Sequence, residues 1–181
     1  MSLPKDFLDK MQTLLKEEYE AFINSYEQEK SLGLRVNTLK TTLDQFETLN
    51  KFDLKSIPWV PEGYFYQQAD RPGKHPYHEA GVYYIQEPSA MSVGTFVEAV
   101  PGEKVLDLCA APGGKSTHVA SQLQQEGLLI TNEIYPQRAK ILSQNIERMG
   151  IKNAVVVNES PQKLAKHFPS YFDRIVVDAP C

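Results

Sequence analysis

At 181 residues, with 41% hydrophobic and 23% charged residues and a formal net charge of −4, the chain has the composition of an ordinary globular protein. That composition excludes three classes. No apolar run reaches bilayer-spanning length, two cysteines are too few for a disulfide scaffold, and a mildly acidic chain is no general nucleic-acid coat held by summed phosphate contacts.

The opening MSLPKDFLDK lacks the apolar core of a signal peptide, so a reduced, cytoplasmic setting and no membrane are expected. An RNA substrate stays open, because a local basic surface suffices for one. Phe7, Leu8, Met11, Leu14, Leu15, Phe22, Ile23 and Tyr26 recur at helical spacing. This predicts one long or two short amphipathic helices starting near Pro4, with the aromatics used for packing. Residues 34–39 (LRVNTL) alternate as a strand, which puts Arg35 and Asn37 on an exposed face, and Thr41 or Thr42 opens a helix through Leu49. Residues 57–67 are interrupted by Pro58, Pro61 and Gly63 and read as edge strands around a turn. Residues 70–79 (DRPGKHPYHE) form a loop by composition, the most basic short stretch of the chain, with Arg71, Lys74, His75 and His78. No zinc-ligand spacing occurs.

A strand at 82–85 leads to a helix that starts at Glu87-Pro88, buries Ala90, Val93, Val97 and Val100, and ends at Pro101-Gly102. From Glu103 the pattern becomes βαβ alternation: strands at 104–109, 128–132, 154–157 and 174–178, helices at 115–125, from Pro136 to Met149, and at 161–167. Short crossovers make neighbouring strands parallel, and ligand then sits above their carboxyl ends.

The stretch VLDLCAAPGGKST, residues 105–117, is the pivot of that region. A buried strand runs into the small-residue turn Cys109-Ala110-Ala111-Pro112-Gly113-Gly114 and then into a helix at Lys115-Ser116-Thr117. Such a turn exposes backbone N–H groups at the positive end of a helix dipole. The dinucleotide fingerprint is absent, because Cys109 and Ala111 stand where its first two glycines belong. Gly114-Lys115-Ser116 fits the end of a phosphate loop, but Cys109 replaces its first glycine and Pro112 stiffens it. An adenosylmethionine site is the other reading. Glu133, just past the second strand, suits ribose hydroxyls; Asp178, ending the fourth, resembles a Mg²⁺-holding acid as much as a cofactor-site one.

CAAPGGKS at 109–116 and DAPC at 178–181, with LRVNTLK at 34–40 and YIQEPSAM at 84–91, closely resemble four motifs, in order, of the NOL1/NOP2/Sun type of RNA 5-methylcytosine methyltransferases, the bacterial ribosomal-RNA branch most of all. The resemblance implies a Rossmann-like, doubly wound α/β methyltransferase core with a mainly parallel sheet, preceded by a small α+β domain. The expected division is 1–33, N-terminal helices; 34–86, the small RNA-contacting domain; 87–181, the cofactor domain cut after its fourth strand. The implied cofactor is S-adenosyl-L-methionine, held by Cys109 through Lys115, Glu133, Arg138, Ser160 and Asp178. The implied partner is RNA, ribosomal RNA in particular, contacted at Arg35, Asn37, Arg71 and Lys74.

In the family a cysteine thiolate adds to carbon 6 of cytosine, so that carbon 5 becomes nucleophilic enough to take the methyl group. The base is flipped out to reach the pocket. The nucleophile lies in a later motif, so the resemblance makes this chain a fragment that transfers no methyl group by itself and holds its cofactor weakly. Cys181 would assist product release and Asp178 would help position cofactor and base. Cys109 is read as a packing residue in the cofactor turn. Where the family places an Asp after the third strand for adenine, residues 158–160 are Asn-Glu-Ser, and spacing back from Asp178 puts Ser160 in that position. Arg138 matches a family position that bridges cofactor-site acids. A phosphate-loop NTPase using Lys115 and Asp178, and a non-catalytic RNA-binding module, are the alternatives.

Overall fold

The computed structural model describes residues 3–179, which fall into two compact units, one reaching Ser31 and one starting at Leu32. The first holds two helices, α1 (Lys5–Leu15) and α2 (Tyr19–Ser25), separated by a 3-10 turn at Lys16–Glu18. The break falls at Lys16, whose φ of 48° no helical residue adopts. Phe7, Phe22 and Tyr26 pack on one another with ring centroids 5.4–6.3 Å apart, yet neither helix has a buried residue.

The second unit contains two four-stranded sheets. The antiparallel sheet has the order β2 (Leu54–Ile57), β3 (Val60–Tyr66), β1 (Gly33–Val36), β4 (Tyr83–Ile85). Helix α3 (Leu43–Leu49) starts from a capping box in which Thr42 and Gln45 satisfy each other's backbone N–H. Its Phe46 joins Leu34, Val36, Tyr64 and Tyr83 in a closed core. The 57–67 segment was expected at the sheet edge, but β3 lies in the interior. Its Pro61 is tolerated because the β2–β3 register shifts between Ser56 and Ile57, so no ladder bond is asked of it there.

The turns at 68–74 and the short α4 (Pro76–Glu79) then carry the chain across the surface, with Arg71 and Lys74 exposed. Helix α5 (Pro88–Val97) stops at Glu98, which turns left-handed at φ 50°, three residues before the expected Pro101-Gly102 stop. Its buried face is Pro88, Met91 and Gly94; Val100 is half exposed. Val93 and Val97 of the predicted stripe pack half-buried against the main core, whereas Gly94, which carries no apolar signal, is buried where α5 meets His118 of α6.

The parallel sheet has the order β7 (Ala154–Val157), β6 (Leu128–Asn132), β5 (Lys104–Asp107), β8 (Arg174–Val176). Helices α6 (Gly114–Leu123) and α7 (Pro136–Met149) join β5 to β6 and β6 to β7, and α8 (Pro161–His167) brings the chain back to the other side of β5. Proline at its first position and Gly150 at φ 74° set the ends of α7. Its stripe of Ala139, Leu142, Ile146 and Met149 is buried as the sequence predicts.

Together with Val105, Val119, Leu123 and Leu129, the Leu142, Ile146 and Met149 of that stripe form the main core. Each fully buried Val or Leu there contributes about 1.5–3 kcal/mol. Leu164 of α8 covers the opposite face against Leu106 and Ile130. At the amino ends of β5 and β8 the strands are pinned. Lys104 N–H donates to Asp173 Oδ2 at 2.7 Å, Asp173 N–H to the Lys104 carbonyl at 2.8 Å, and Arg174 pairs with Glu103 at 2.7 Å.

Candidate functional site

Strand order reverses between β5 and β8, because the chain leaves β5 on one side toward β6 and β7 and returns on the other. Loops leaving the carboxyl ends of two such strands diverge, and a crevice opens between them. A cleft of about 350 Å³ lies there, within the ~300–1,000 Å³ usual for small-molecule sites. Leu108, Cys109, Ala111 and Lys115 line it from the turn after β5; Asn132, Glu133, Ile134, Tyr135 and Arg138 from the end of β6. Pro161, Asp178 and Ala179 complete it.

The turn is shaped by what it bonds. Ala110 N–H reaches the Asn132 carbonyl at 2.8 Å, the Ala111 carbonyl accepts from Arg138 at 2.7 Å, and the Pro112 carbonyl from Asn145 at 2.8 Å. Gly113 has φ 116°, a conformation open to glycine, and a Cβ there would stand 3.2 Å from Leu142 Cδ1. Beneath the turn, buried Asp107 accepts from Ser116 Oγ at 2.6 Å, while its other carboxylate oxygen has no partner. Burial pushes the Asp107 carboxyl up, against the Ser116 hydrogen bond.

Glu133 is 3% exposed. One of its oxygens accepts from Tyr135 N–H at 3.0 Å, and the other pairs with Arg138 at 3.2 Å. Each carboxylate oxygen keeps a spare lone pair, and the residue lines the cleft. Lys115 pairs with Asp178 at 2.5 Å across the mouth. Cys109 is a free thiol. Burial, and then the negative charge of Asp107, Glu133 and Asp178, hold it protonated.

The structure thus brings Cys109, Ala111, Lys115, Glu133, Arg138 and Asp178 around one cleft, with Ala110, Pro112, Gly113 and Gly114 forming the turn behind them. Ser160 is outside the lining; it caps α8, its hydroxyl accepting from Lys163 N–H, and Pro161 faces the cleft instead. Cys181 lies outside the described residues. Arg35 and Asn37 correct the expectation of an RNA-facing strand, since both are 0% exposed. Arg35 bonds Thr117 Oγ1 and the Gly114 carbonyl, and Asn37 bonds the Gly81 and Met149 carbonyls.

Three site-supporting residues were missed: Asp107, Asn132 and His118. Asn132 joins two strand ends by donating to the Leu108 carbonyl and accepting from Glu159 N–H. His118 on α6 meets Glu62 of β3 at 2.7 Å. Among the described residues no group of three or more His, Cys, Asp or Glu is placed to hold a metal, and no helix is long and apolar enough to cross a membrane.

A parallel sheet with a switch-point cleft, a small-residue turn at a helix N-terminus and a buried acid at the next strand end define a Rossmann-like nucleoside-cofactor fold. Comparison with known proteins makes the class specific. Residues 3–88 match the family described as the N-terminal domain of 16S rRNA methyltransferase RsmF, and residues 95–181 match 16S rRNA methyltransferase RsmB/F. Between them the two matches take in all of the chain except residues 1–2 and 89–94.

Ribosomal RNA small subunit methyltransferase F of Pectobacterium atrosepticum is 36% identical over 99% of the chain, and that of Vibrio vulnificus likewise 36% over 99%. The chain spans about 40% of the length of these relatives. A methyltransferase homolog protein from Pyrococcus horikoshii superposes with a TM-score of 0.84 at 30% identity, covering 99% of this chain and 60% of that one. NSun6 from Pyrococcus horikoshii shares the fold, with a TM-score of 0.84 at 20% identity over 98% of this chain and 71% of its own. The phosphate-loop NTPase alternative finds no support in these relatives.

Proposed function

We propose that the protein is an S-adenosylmethionine-dependent methyltransferase acting on cytosine carbon 5 of ribosomal RNA, in the cytoplasm. The observation that carries the reading is Glu133, a buried carboxylate at the tip of β6, facing the cleft across from the N-terminus of α6. A nearly dry acid is costly unless its lone pairs are used. Two are used by Tyr135 N–H and Arg138, and the rest suit a ribose diol.

When bound, S-adenosylmethionine would supply the electrophilic methyl group. Glu133 would hold the ribose, with Arg138 fixing the carboxylate against the Ala111 carbonyl. The N-terminus of α6 and Lys115 would receive the amino-acid end. Asp178, tethered by Lys115, would orient the base at the mouth. Pro161 and Ile134 would bracket the adenine where the family carries an acid near Ser160. Exposed Arg71 and Lys74 are the RNA-facing candidates in residues 34–86. Cys109 stays a packing residue, because its thiol is held protonated.

The test is calorimetric titration with S-adenosylmethionine, S-adenosylhomocysteine and Mg·ATP, with Glu133→Ala as control. Binding of the first two, lost in the variant, supports the reading. Binding of Mg·ATP alone overturns it.

A further inference from the structure

The structure assigns Arg35 a role as the positioning residue of the cofactor turn, a brace from the antiparallel sheet that holds the first turn of α6 in register. This inference rests on the methyltransferase reading of the cleft. Arg35 projects from β1, with no exposed surface, to the place where the turn becomes helix. One terminal nitrogen donates to Thr117 Oγ1 at 2.7 Å and to the Gly114 carbonyl at 3.2 Å, and Nε reaches Gln86 Oε1 at 3.5 Å. Thr117 Oγ1 donates in turn to the Gly114 carbonyl at 3.1 Å, so three groups close a ring around one peptide. That peptide immediately precedes Lys115, which lines the cleft.

A cation beneath a helix N-terminus opposes the helix dipole, so its position there needs an explanation beyond charge. Geometry supplies one: a single terminal nitrogen serves both acceptors while Nε of the same rigid plane meets Gln86, and the other terminal nitrogen is buried without a partner among the described residues. The single ammonium of a lysine does not reproduce that spread of donors. Compensation comes from the same sheet. Glu62 of β3 acts on the guanidinium by charge and also holds His118, the next residue of α6, at 2.7 Å. Burial lowers the Arg35 pKa to about 10, with Glu62 and Tyr84 opposing, so the group remains cationic at neutral pH. Gly114 fits against this assembly because it lacks a side chain; a Cβ would stand 3.2 Å from Gln86 and 3.3 Å from Tyr84.

The same segment fastens the far end of the next helix. Asn37 Nδ2 donates to the Met149 carbonyl at 2.9 Å and Lys40 Nζ to the Arg148 carbonyl at 2.8 Å, at the C-terminus of α7, where donors are favoured. Residues 35–40 therefore tie down two of the helices whose amino ends face the cleft, α6 and α7. Asn37 and Lys40 hold the remote end of one, and Arg35 holds the working end of the other.

The experiment compares wild type with Arg35→Lys, Thr117→Val and the double variant. It uses S-adenosylhomocysteine titration, thermal unfolding and amide hydrogen exchange. Arg35→Lys is expected to weaken S-adenosylhomocysteine about tenfold, the factor of one lost charge-assisted bond. Exchange at Thr117 and His118 should rise by a similar factor while α7 amides keep their protection. The double variant should bind no more weakly than the weaker single, because both remove one contact. Unchanged affinity and exchange in a folded Arg35→Lys overturn the proposal, as do multiplying effects in the double variant or protection lost evenly over both sheets. A wild type that binds no S-adenosylhomocysteine overturns the cofactor reading instead, and the exchange data still decide the brace.

Discussion

Gly94→Ala gives the sharpest test of how α5 and α6 are packed. A Cβ built on Gly94 would lie 2.2 Å from His118 Nδ1, 2.6 Å from Cγ and 2.8 Å from Cβ, all inside van der Waals contact. The imidazole has no free volume to retreat into, being 2% exposed with Nε2 anchored on Glu62 at 2.7 Å. Either the helices separate, at an overpacking cost of about 1–3 kcal/mol, or His118 leaves Glu62, at about 1.5–3 kcal/mol for a charge-assisted bond. Better helix propensity returns about 1 kcal/mol. The net loss is about 1 kcal/mol, or roughly 2–4 °C in Tm for a chain of this size. Trp59, the single tryptophan, donates to the carbonyl of Pro88 at the start of α5, so its fluorescence reports the docking of that helix. Gly94→Ala combined with His118→Ala should recover part of the loss, because the clash partner is gone. A Gly94→Ala protein as stable as wild type, within about 0.5 kcal/mol, would refute the packing argument.

Glu133→Ala should weaken S-adenosylhomocysteine by about 10- to 100-fold in calorimetry, the range for losing hydrogen bonds to a charged group; an unchanged Kd would remove Glu133 from the site. Burial, and then the charge of Arg35, hold the His118 imidazole below its usual 6.5 despite Glu62. The unfolded chain therefore binds the proton first as pH falls through about 6.5, and folding stability declines from there toward the lower folded pKa. Denaturation series between pH 7 and 5 should show that decline flattened in His118→Gln; equal slopes would show that His118 does not titrate on unfolding. In a Cys181→Ser background, iodoacetamide should modify Cys109 more slowly at pH 7 than it modifies free cysteine, because the thiolate is disfavoured. Reaction as fast as free cysteine would contradict the protonated thiol.

The parallel half of the fold was legible because its signals are local. Pro136, the apolar stripe through Met149 and Gly150 state where α7 starts, faces and stops within one stretch of sequence. Glu133 and the 109–115 turn were legible for the same reason, since the end of a buried strand places the residues just beyond it at the cleft. Arg35 and Asn37 were not. A polar residue on a short strand reads as solvated unless its partners are known, and the groups these two donate to lie 44 to 112 residues away. His118 and Glu62 are likewise a pair made by the meeting of a helix and a strand. On α5 the pattern misled, because Gly94 serves the packing through the absence of a side chain.

The pins at the amino ends of β5 and β8 separate two kinds of mutational consequence. Glu103, Lys104, Asp173 and Arg174 hold the strand pair in register at the end opposite the cleft. Damage there lowers the amount of folded protein without altering what each folded molecule binds. On the proposed cofactor reading, damage at Glu133 or on the cleft side of the 109–115 turn is expected to change binding. In a variant survey of living cells, the two ends of the same strands would sort into expression phenotypes and activity phenotypes, and the boundary would run across the middle of the sheet.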